Sequence, residues 1–166
     1  MLEVLGRATS GNVQKVLFLL EELGAPYKRH DYGKTFEGTT LTPQYQAINP
    51  TQKVPTLRDG ELHVWESHTI LRYVANKQEA HALYPRDPAA RSQVERWMDW
   101  TLASLNVAYL AGFKEAKLPP EQLSEALRAA VRRAVAAGRA RRAGPGSRAR
   151  PSPWPTSAWR RWCAAA

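Results

Sequence analysis

Apolar residues along this chain keep two different spacings, and the switches between them outline its elements. Leu2, Val4 and Leu5 form a short strand-like run that ends at Gly6. After the loop Arg7-Ala8-Thr9-Ser10-Gly11, residues Val13, Val16, Leu17, Leu20 and Leu23 recur at helical spacing. Gly24, followed by Pro26, stops that helix. Tyr27 to Tyr32 reads as a second strand. Residues 33–49 are rich in Gly, Thr and Pro and hold a loop with one short helix near Pro43 to Ala47. Val54 to Leu57, a turn at Asp59-Gly60 and Leu62 to Trp65 are spaced as a hairpin. Ser67 then caps a helix that carries Ile70, Leu71 and Val74 on one face.

The order β-α-β, then β-β-α, predicts an α/β, thioredoxin-like N-terminal domain over residues 1–76. Residues 77–87 read as a linker, closing on Tyr84-Pro85-Arg86-Asp87-Pro88. Asp87 is a good helix N-cap and Pro88 suits a first helical turn. Val94, Trp97, Met98, Thr101, Leu102 and Leu105 make the apolar stripe of a helix expected over 88–112. Pro119-Pro120 break the chain, and Glu121 begins another helix with Leu123, Leu127 and Val131. Residues 88–137 are thus the start of an all-α helical domain, and the chain leaves that domain incomplete.

One stretch organises the functional reading. It is the segment Lys53-Val54-Pro55-Thr56-Leu57, followed after the hairpin turn by Glu66-Ser67. A proline in a strand-like run removes a ladder donor, so Pro55 marks an edge, a bulge or a cis turn. A cis peptide at Val54-Pro55 would turn the Val54 backbone N–H and C=O outward, where they can pair with an extended peptide. Ser67, placed as a helix N-cap, offers N–H groups suited to a carboxylate. An extended-peptide edge beside a carboxylate pocket is what a tripeptide such as glutathione needs.

Composition sharpens this picture in two places. The hydrophobic share of 43% over 166 residues suits a globular chain with a real core. Cys163 is the only cysteine, which excludes a disulfide framework, a Cys-x-x-Cys redox pair and a cysteine metal cluster. His30, His63, His68 and His81 show no metal-ligand spacing, so no metal is expected. No apolar run approaches membrane-spanning length, and Met1-Leu2-Glu3 does not open a signal peptide, so a cytoplasmic location is the default. The net charge of +9 is unevenly spread. Residues 1–125 hold 14 Lys+Arg against 15 Asp+Glu, whereas residues 126–166 hold 10 Arg and no acid. A near-neutral body carries a basic tail.

Taken together, Ser10-x-Asn12-x-x-Lys15-Val16, Asn49-Pro50 with Val54-Pro55-Thr56-Leu57, and Glu66-Ser67 leading to Ile70-x-x-Tyr73 resemble the soluble, bacterial-like glutathione S-transferases. The match covers about residues 1–137. The resemblance implies that Val54 pairs with the cysteinyl backbone of glutathione, with Pro55 shaping that edge. It implies that Glu66 and Ser67 hold the γ-glutamyl end, that Lys53 meets the glycine carboxylate, and that Ser10 hydrogen-bonds the sulfur with Asn12 beside it. It also implies glutathione as co-substrate, a hydrophobic electrophile as second substrate, a homodimer where the helical domain is intact, and no nucleic-acid or membrane partner.

The chemistry implied is thiolate activation. A thiol of pKa about 8.5 is mostly protonated at neutral pH, and the thiolate is the nucleophile. Lowering that pKa by about two takes about 2.7 kcal/mol. One charge-assisted hydrogen bond supplies about 1.5–3 kcal/mol, so a single hydroxyl can provide most of it. Each assignment has a plainer rival. Ser10 can simply cap the first helix, and Thr9 can take its catalytic place. Glu66-Ser67 can be an ordinary turn and cap, Lys53 a solvated lysine, and Trp97, Met98 and Trp100 core residues rather than pocket lining.

The tail fits neither domain. From Gly138 onward the chain is Arg, Ala, Gly, Pro, Ser and Trp with no apolar period, as in a disordered basic segment (138–166). The capping box that the family's helical domain contains is absent. The genetic code offers a second reading. If the third base of each codon is joined to the first two of the next, Trp154-Pro155 must encode alanine. The shifted frame around it permits Phe-Thr-Leu-Ala-Asp-Ile, and Arg142 through Ser147 permit Gly-Arg-Pro-Trp-Leu. Both strings resemble the family's sequence around its missing box. A frameshift between about residues 126 and 143 would make the tail out-of-frame translation and the helical domain truncated. Three functions then compete: a transferase, a glutathione-binding module with little turnover, and an Arg- and Trp-rich tail that binds nucleic acid or anionic membrane.

Overall fold

The computed structural model describes residues 1–33, 38–107, 109–110 and six more between 124 and 136. The chain divides into two compact units, with the boundary between Arg86 and Asp87.

In the first unit, β1 (Leu2–Leu5) is followed by α1 (Gly11–Glu22) and β2 (Tyr27–His30). Then come α2 (Pro43–Ile48), β3 (Thr56–Asp59), β4 (Leu62–Trp65) and α3 (Ser67–Lys77). The sheet order is β2-β1-β3-β4, with β1 parallel to β2 and antiparallel to β3, and β3 antiparallel to β4. This is the thioredoxin-like α/β arrangement that the element order predicts.

Strand alternation decides which residues face which layer. Leu2 and Val4 of β1 and Leu57 of β3 point to one face, where Val13, Val16 and Leu20 of α1 and Ile70 and Val74 of α3 close over them. These eight side chains form the core, and the apolar stripes of both helices end there as the helical spacing requires. The neighbouring residues Leu5 and Thr56 point to the other face and are also buried. Tyr45 of α2 reaches Thr56 there, its hydroxyl 2.8 Å from Thr56 Oγ1.

Element ends follow local chemistry. Gly24 adopts φ +59°, the left-handed conformation a side chain resists, directly after α1. Ala25 N–H then returns to the Leu20 carbonyl at 3.0 Å. Thr42 caps α2, its hydroxyl accepting from Tyr45 N–H. At the far end of α3, Tyr73 Oη donates to Asp59 Oδ2 at 2.6 Å and Lys77 pairs with the same carboxylate. The two contacts hold the carboxyl of Asp59 below the usual carboxylate range, Lys77 contributing most, and tie α3 to the hairpin turn.

Three details differ from the sequence reading. The second strand stops at His30, and Tyr32 instead forms an isolated parallel bridge with Gly38. The third strand begins at Thr56 rather than Val54, because Pro55 has no N–H to give the ladder. The cap of α3 is Glu66 rather than Ser67. Glu66 has φ +67° and carries the reversal from strand to helix, which makes Ser67 the first helical residue.

Residues 78–86 run in turns beside the end of α3. Ala80 N–H donates to Ala75 O at 2.8 Å, Tyr84 N–H donates to Ala80 O at 2.9 Å, and Tyr84 is buried. The second unit opens with α4 (Pro88–Trp100). Asp87 caps it, accepting from Ala90 N–H at 2.8 Å, and Pro88 occupies the first turn. A single π-helical turn, Thr101–Leu105, continues it. Its apolar stripe is half-buried at Val94, Trp97 and Met98, and Leu102 is exposed. Glu125, Ala129, Arg132, Arg133 and Ala136 are helical, where the sequence places the next helix. The tail 138–166, and with it the out-of-frame reading, lies outside the described residues.

Leu57 sits at the centre of the core and is fully buried. Leu57→Ala should therefore lower the unfolding free energy by about 2–5 kcal/mol in denaturant titration. A midpoint equal to that of the unsubstituted chain would remove Leu57 from the core.

Candidate glutathione site

Strand register brings the candidate residues to one end of the sheet. Leu5, the last residue of β1, pairs with Thr56, the first of β3, and Thr56 also pairs with Trp65, the last of β4. The chain therefore leaves β1, enters β3 and leaves β4 at the same end. The β1–α1 loop with Ser10 and Asn12, the Lys53-Val54-Pro55 segment and the Glu66-Ser67 start of α3 all emerge there. Close approach confirms this placement. A methyl group at Gly6 would meet Val13 Cγ2 at 2.5 Å and Val54 Cβ at 3.3 Å, so glycine lets the Val54 segment press against the loop. Lys15 and His68 bridge the first turns of α1 and α3, with Nζ 3.2 Å from Nε2.

Ser10 is the N-cap of α1 by backbone position, with φ −83° and ψ 121°, but its side chain makes no capping hydrogen bond. Ser10 N–H donates to Arg7 O, and Ser10 O accepts from Gln14 N–H. The hydroxyl is half-buried at a helix N-terminus, where exposed N–H groups favour a developing negative charge. Asn12 is half-buried one residue into α1, and Thr9 is exposed.

The Val54-Pro55 peptide bond is cis. A buried polar cluster fastens its two flanks. On one side, the Lys53 carbonyl accepts from Tyr45 Oη at 2.7 Å and from Asn49 Nδ2 at 2.9 Å. On the other, Thr56 Oγ1 accepts from Asn49 Nδ2 at 2.9 Å and meets Tyr45 Oη at 2.8 Å. Asn49 is 1% exposed, and its Oδ1 accepts from both the N–H and the hydroxyl of Thr51. One amide thus satisfies both ends of a four-residue segment and the turn before it. Burial, first, raises the pKa of the Tyr45 phenol, so the hydroxyl stays a donor at neutral pH. The Lys53 side chain is exposed, Val54 is half-buried and Pro55 is buried.

At α3, Glu66 is exposed and Ser67 is 6% exposed, so the pair presents one carboxylate outward and one hydroxyl at the helix start. Among the described residues, no three His, Cys, Asp or Glu side chains gather as a metal ion would require.

Residues 9–77 match the family model of the glutathione S-transferase N-terminal domain. A theta class glutathione S-transferase from the citrus canker pathogen Xanthomonas axonopodis pv. citri, solved with glutathione bound, superposes with a TM-score of 0.68 at 38% identity. That alignment covers 86% of this chain and 67% of that one. The chain belongs to the glutathione S-transferase family. Glutathione S-transferase GstB of Escherichia coli (strain K12) is 40% identical to it over 131 residues, 76% of this chain and 62% of GstB. The chain therefore spans less than two thirds of that relative. Glutathione transferase F2 from Populus trichocarpa, at 22% identity and a TM-score of 0.73 over 85% of this chain and 70% of that one, shares the fold.

Sequence reasoning for this glutathione S-transferase chain gave no role to Tyr45, and it named Asn49 and Thr56 only as parts of a motif. Asn49 was visible beside Pro50, but nothing local signals that a side chain four residues away will tie down the Lys53 carbonyl. Asn49→Ala removes one of the two donors to that carbonyl, one donor to Thr56 Oγ1 and the acceptor of the Thr51 N–H. It should lower stability by about 1–3 kcal/mol in denaturant titration. An unchanged midpoint would show that the cluster does not hold the segment.

Proposed function

We propose that this chain binds glutathione across the sheet end and activates its thiol for attack on an electrophilic small molecule. The observation that carries the reading is the convergence of Ser10, Val54 and Glu66-Ser67 on one end of one sheet. In this reading Val54 pairs through its backbone with the cysteinyl residue, beside Pro55. Glu66 takes the γ-glutamyl ammonium, and Ser67 with the α3 N–H groups takes its carboxylate. Lys53, exposed on the flank, meets the glycine carboxylate. Ser10, whose hydroxyl makes no capping bond, donates to the sulfur, and Asn12 lies one residue into the same helix. The hydrogen bond favours the charged form of the thiol and lowers its pKa toward neutrality. The thiolate then attacks the electrophile, forming the carbon–sulfur bond. A hydrophobic electrophile is the second substrate in this reading, and a homodimer in the cytoplasm is the family-like assembly.

A second reading has its own support. No residue of α4 is buried, and Leu102, Val107, Tyr109 and Leu110 are exposed. Apolar side chains exposed in this way would hold a hydrophobic electrophile poorly, leaving a glutathione-binding module with little turnover. Detoxification chemistry belongs to the first reading alone. In this reading a frameshift between about residues 126 and 143 would make the residues after it out-of-frame translation.

Two results test these readings. Ser10→Ala should lower kcat about ten- to hundredfold with a standard aromatic electrophile, matching the loss of one charge-assisted hydrogen bond. It should also raise the pKa of bound glutathione, followed by thiolate absorbance, whereas Thr9→Ala should leave both unchanged. The reverse pattern would move the role to Thr9. Sequencing the coding DNA across codons 120–166 should reveal an open shifted frame encoding Phe-Thr-Leu-Ala-Asp-Ile, and a stop codon in that frame would end the frameshift idea.

A further inference from the structure

The loop that carries Ser10 is held from the edge of the sheet. Gly6 N–H donates to His30 O at 2.8 Å and Arg7 N–H donates to Tyr32 O at 3.1 Å, so the chain around the end of β2 extends its pairing into the β1–α1 loop. Arg7 O then accepts from Ser10 N–H at 3.1 Å, which completes a short hydrogen-bonded path from the end of β2 to Ser10. On the other side, Ala8 O accepts from Gln14 Nε2 of α1 at 3.0 Å. The Gly6 carbonyl is met by a side chain: Arg29 Nη1 of β2 donates to it at 3.2 Å.

Arg29 is placed for more than a surface ion pair. It does pair with Asp31, their side chains 29% and 50% exposed, and a pair that open contributes little to stability. The reach to Gly6 has a different consequence, because Gly6 is where the loop touches the rest of the site. A methyl group there would strike Val13 at 2.5 Å, and Val54 Cβ lies 3.3 Å away. A guanidinium carries its donors in one rigid plane, so it can hold the Asp31 carboxylate and the Gly6 carbonyl together. An aliphatic residue in its place could hold neither. A group that must meet a reacting sulfur has to be kept within about 0.5 Å of its working position, and a loop needs outside support to do that.

We propose that Arg29 is a positioning residue for thiol activation: by fixing the Gly6 carbonyl it sets the start of the turn from Gly6 to Ser10, and so the place of the Ser10 hydroxyl relative to Val54. The inference rests on the glutathione reading above, and Arg29 acts in it through Ser10.

The test is a double-mutant cycle on the whole chain: the unsubstituted chain, Arg29→Met, Ser10→Ala and the double variant. Methionine keeps much of the arginine stem and removes every donor. Thiolate absorbance gives the pKa of bound glutathione, and calorimetry gives its affinity. Arg29→Met should raise that pKa by about 0.5 and lower kcat about three- to tenfold, the loss of part of one hydrogen bond to a charged group. Affinity at acidic pH, where the thiol stays protonated, should be unchanged. In the Ser10→Ala background Arg29→Met should shift the pKa no further, because the hydroxyl it positions is gone. An equal shift in both backgrounds would make Arg29 a distant positive charge and overturn the proposal, as would a loss of affinity with no shift. If Ser10→Ala itself leaves the thiol pKa unchanged, the Ser10 reading fails and this inference with it. If Ser10→Ala shifts it and Arg29→Met does not, only this inference falls. A second readout needs neither ligand nor variant, and so holds even where Arg29→Met does not fold. NMR of the unsubstituted chain should show separate, slowly exchanging Nη signals for Arg29 and protected N–H groups at Arg7 and Ser10. A freely rotating guanidinium, or open-loop exchange at both amides, overturns the brace.

Discussion

The site depends on one buried amide. The Val54-Pro55 segment must leave the sheet early, because Pro55 cannot donate to a ladder, yet its backbone has to stay fixed. Outside a strand there is no ladder to fix it. Asn49 supplies the substitute, donating to Lys53 O and Thr56 Oγ1 on the two sides of the segment. Tyr45 doubles both contacts from the adjoining helix. A polar cluster of this kind is tolerable in a core only because every member finds a partner. Full satisfaction is also what makes it stiff, and a stiff edge loses little entropy when a peptide pairs with it.

The same logic explains how the rest of the first unit serves its end. The core of Leu2, Val4, Leu57 and the inner faces of α1 and α3 fixes the sheet and both helices. Register then does the positioning: one residue, Thr56, pairs with both Leu5 and Trp65. Because three strand ends meet at that residue, the loops and helix starts beyond them must share one edge.

Much of this was legible in the sequence, for reasons that can be named. The helical spacing of Val13, Val16 and Leu20 and the breaks at Gly24 and Asp59-Gly60 are local, so the element order followed from them. Val54-Pro55 and Glu66-Ser67 were legible because a proline in a strand run and a helix start beside a strand end are local anomalies. What stayed hidden depends on tertiary contact. Ser67 looked like the cap, since serine favours that position, but the reversal from β4 to α3 needs a left-handed residue and Glu66 takes it. Asn49, Tyr45 and Thr56 look like an ordinary loop residue, helix aromatic and strand threonine until the fold brings them together. Lys15 and His68 are 53 residues apart in sequence, and no spacing rule links them. In the second unit, Asp87-Pro88 announced a helix start that the structure holds, whereas the apolar stripe that follows is half-buried at Val94, Trp97 and Met98 and exposed at Leu102.

The central claim is that glutathione lies across the sheet end formed by the β1–α1 loop, Val54 and the start of α3. Backbone amide NMR during a glutathione titration tests it most directly. The account predicts saturable shifts at Ser10, Val54 and Ser67, with Gly24 and Gly60, at the opposite end of the sheet, unmoved. Shifts confined to that opposite end, or no saturable shifts at all, would contradict it.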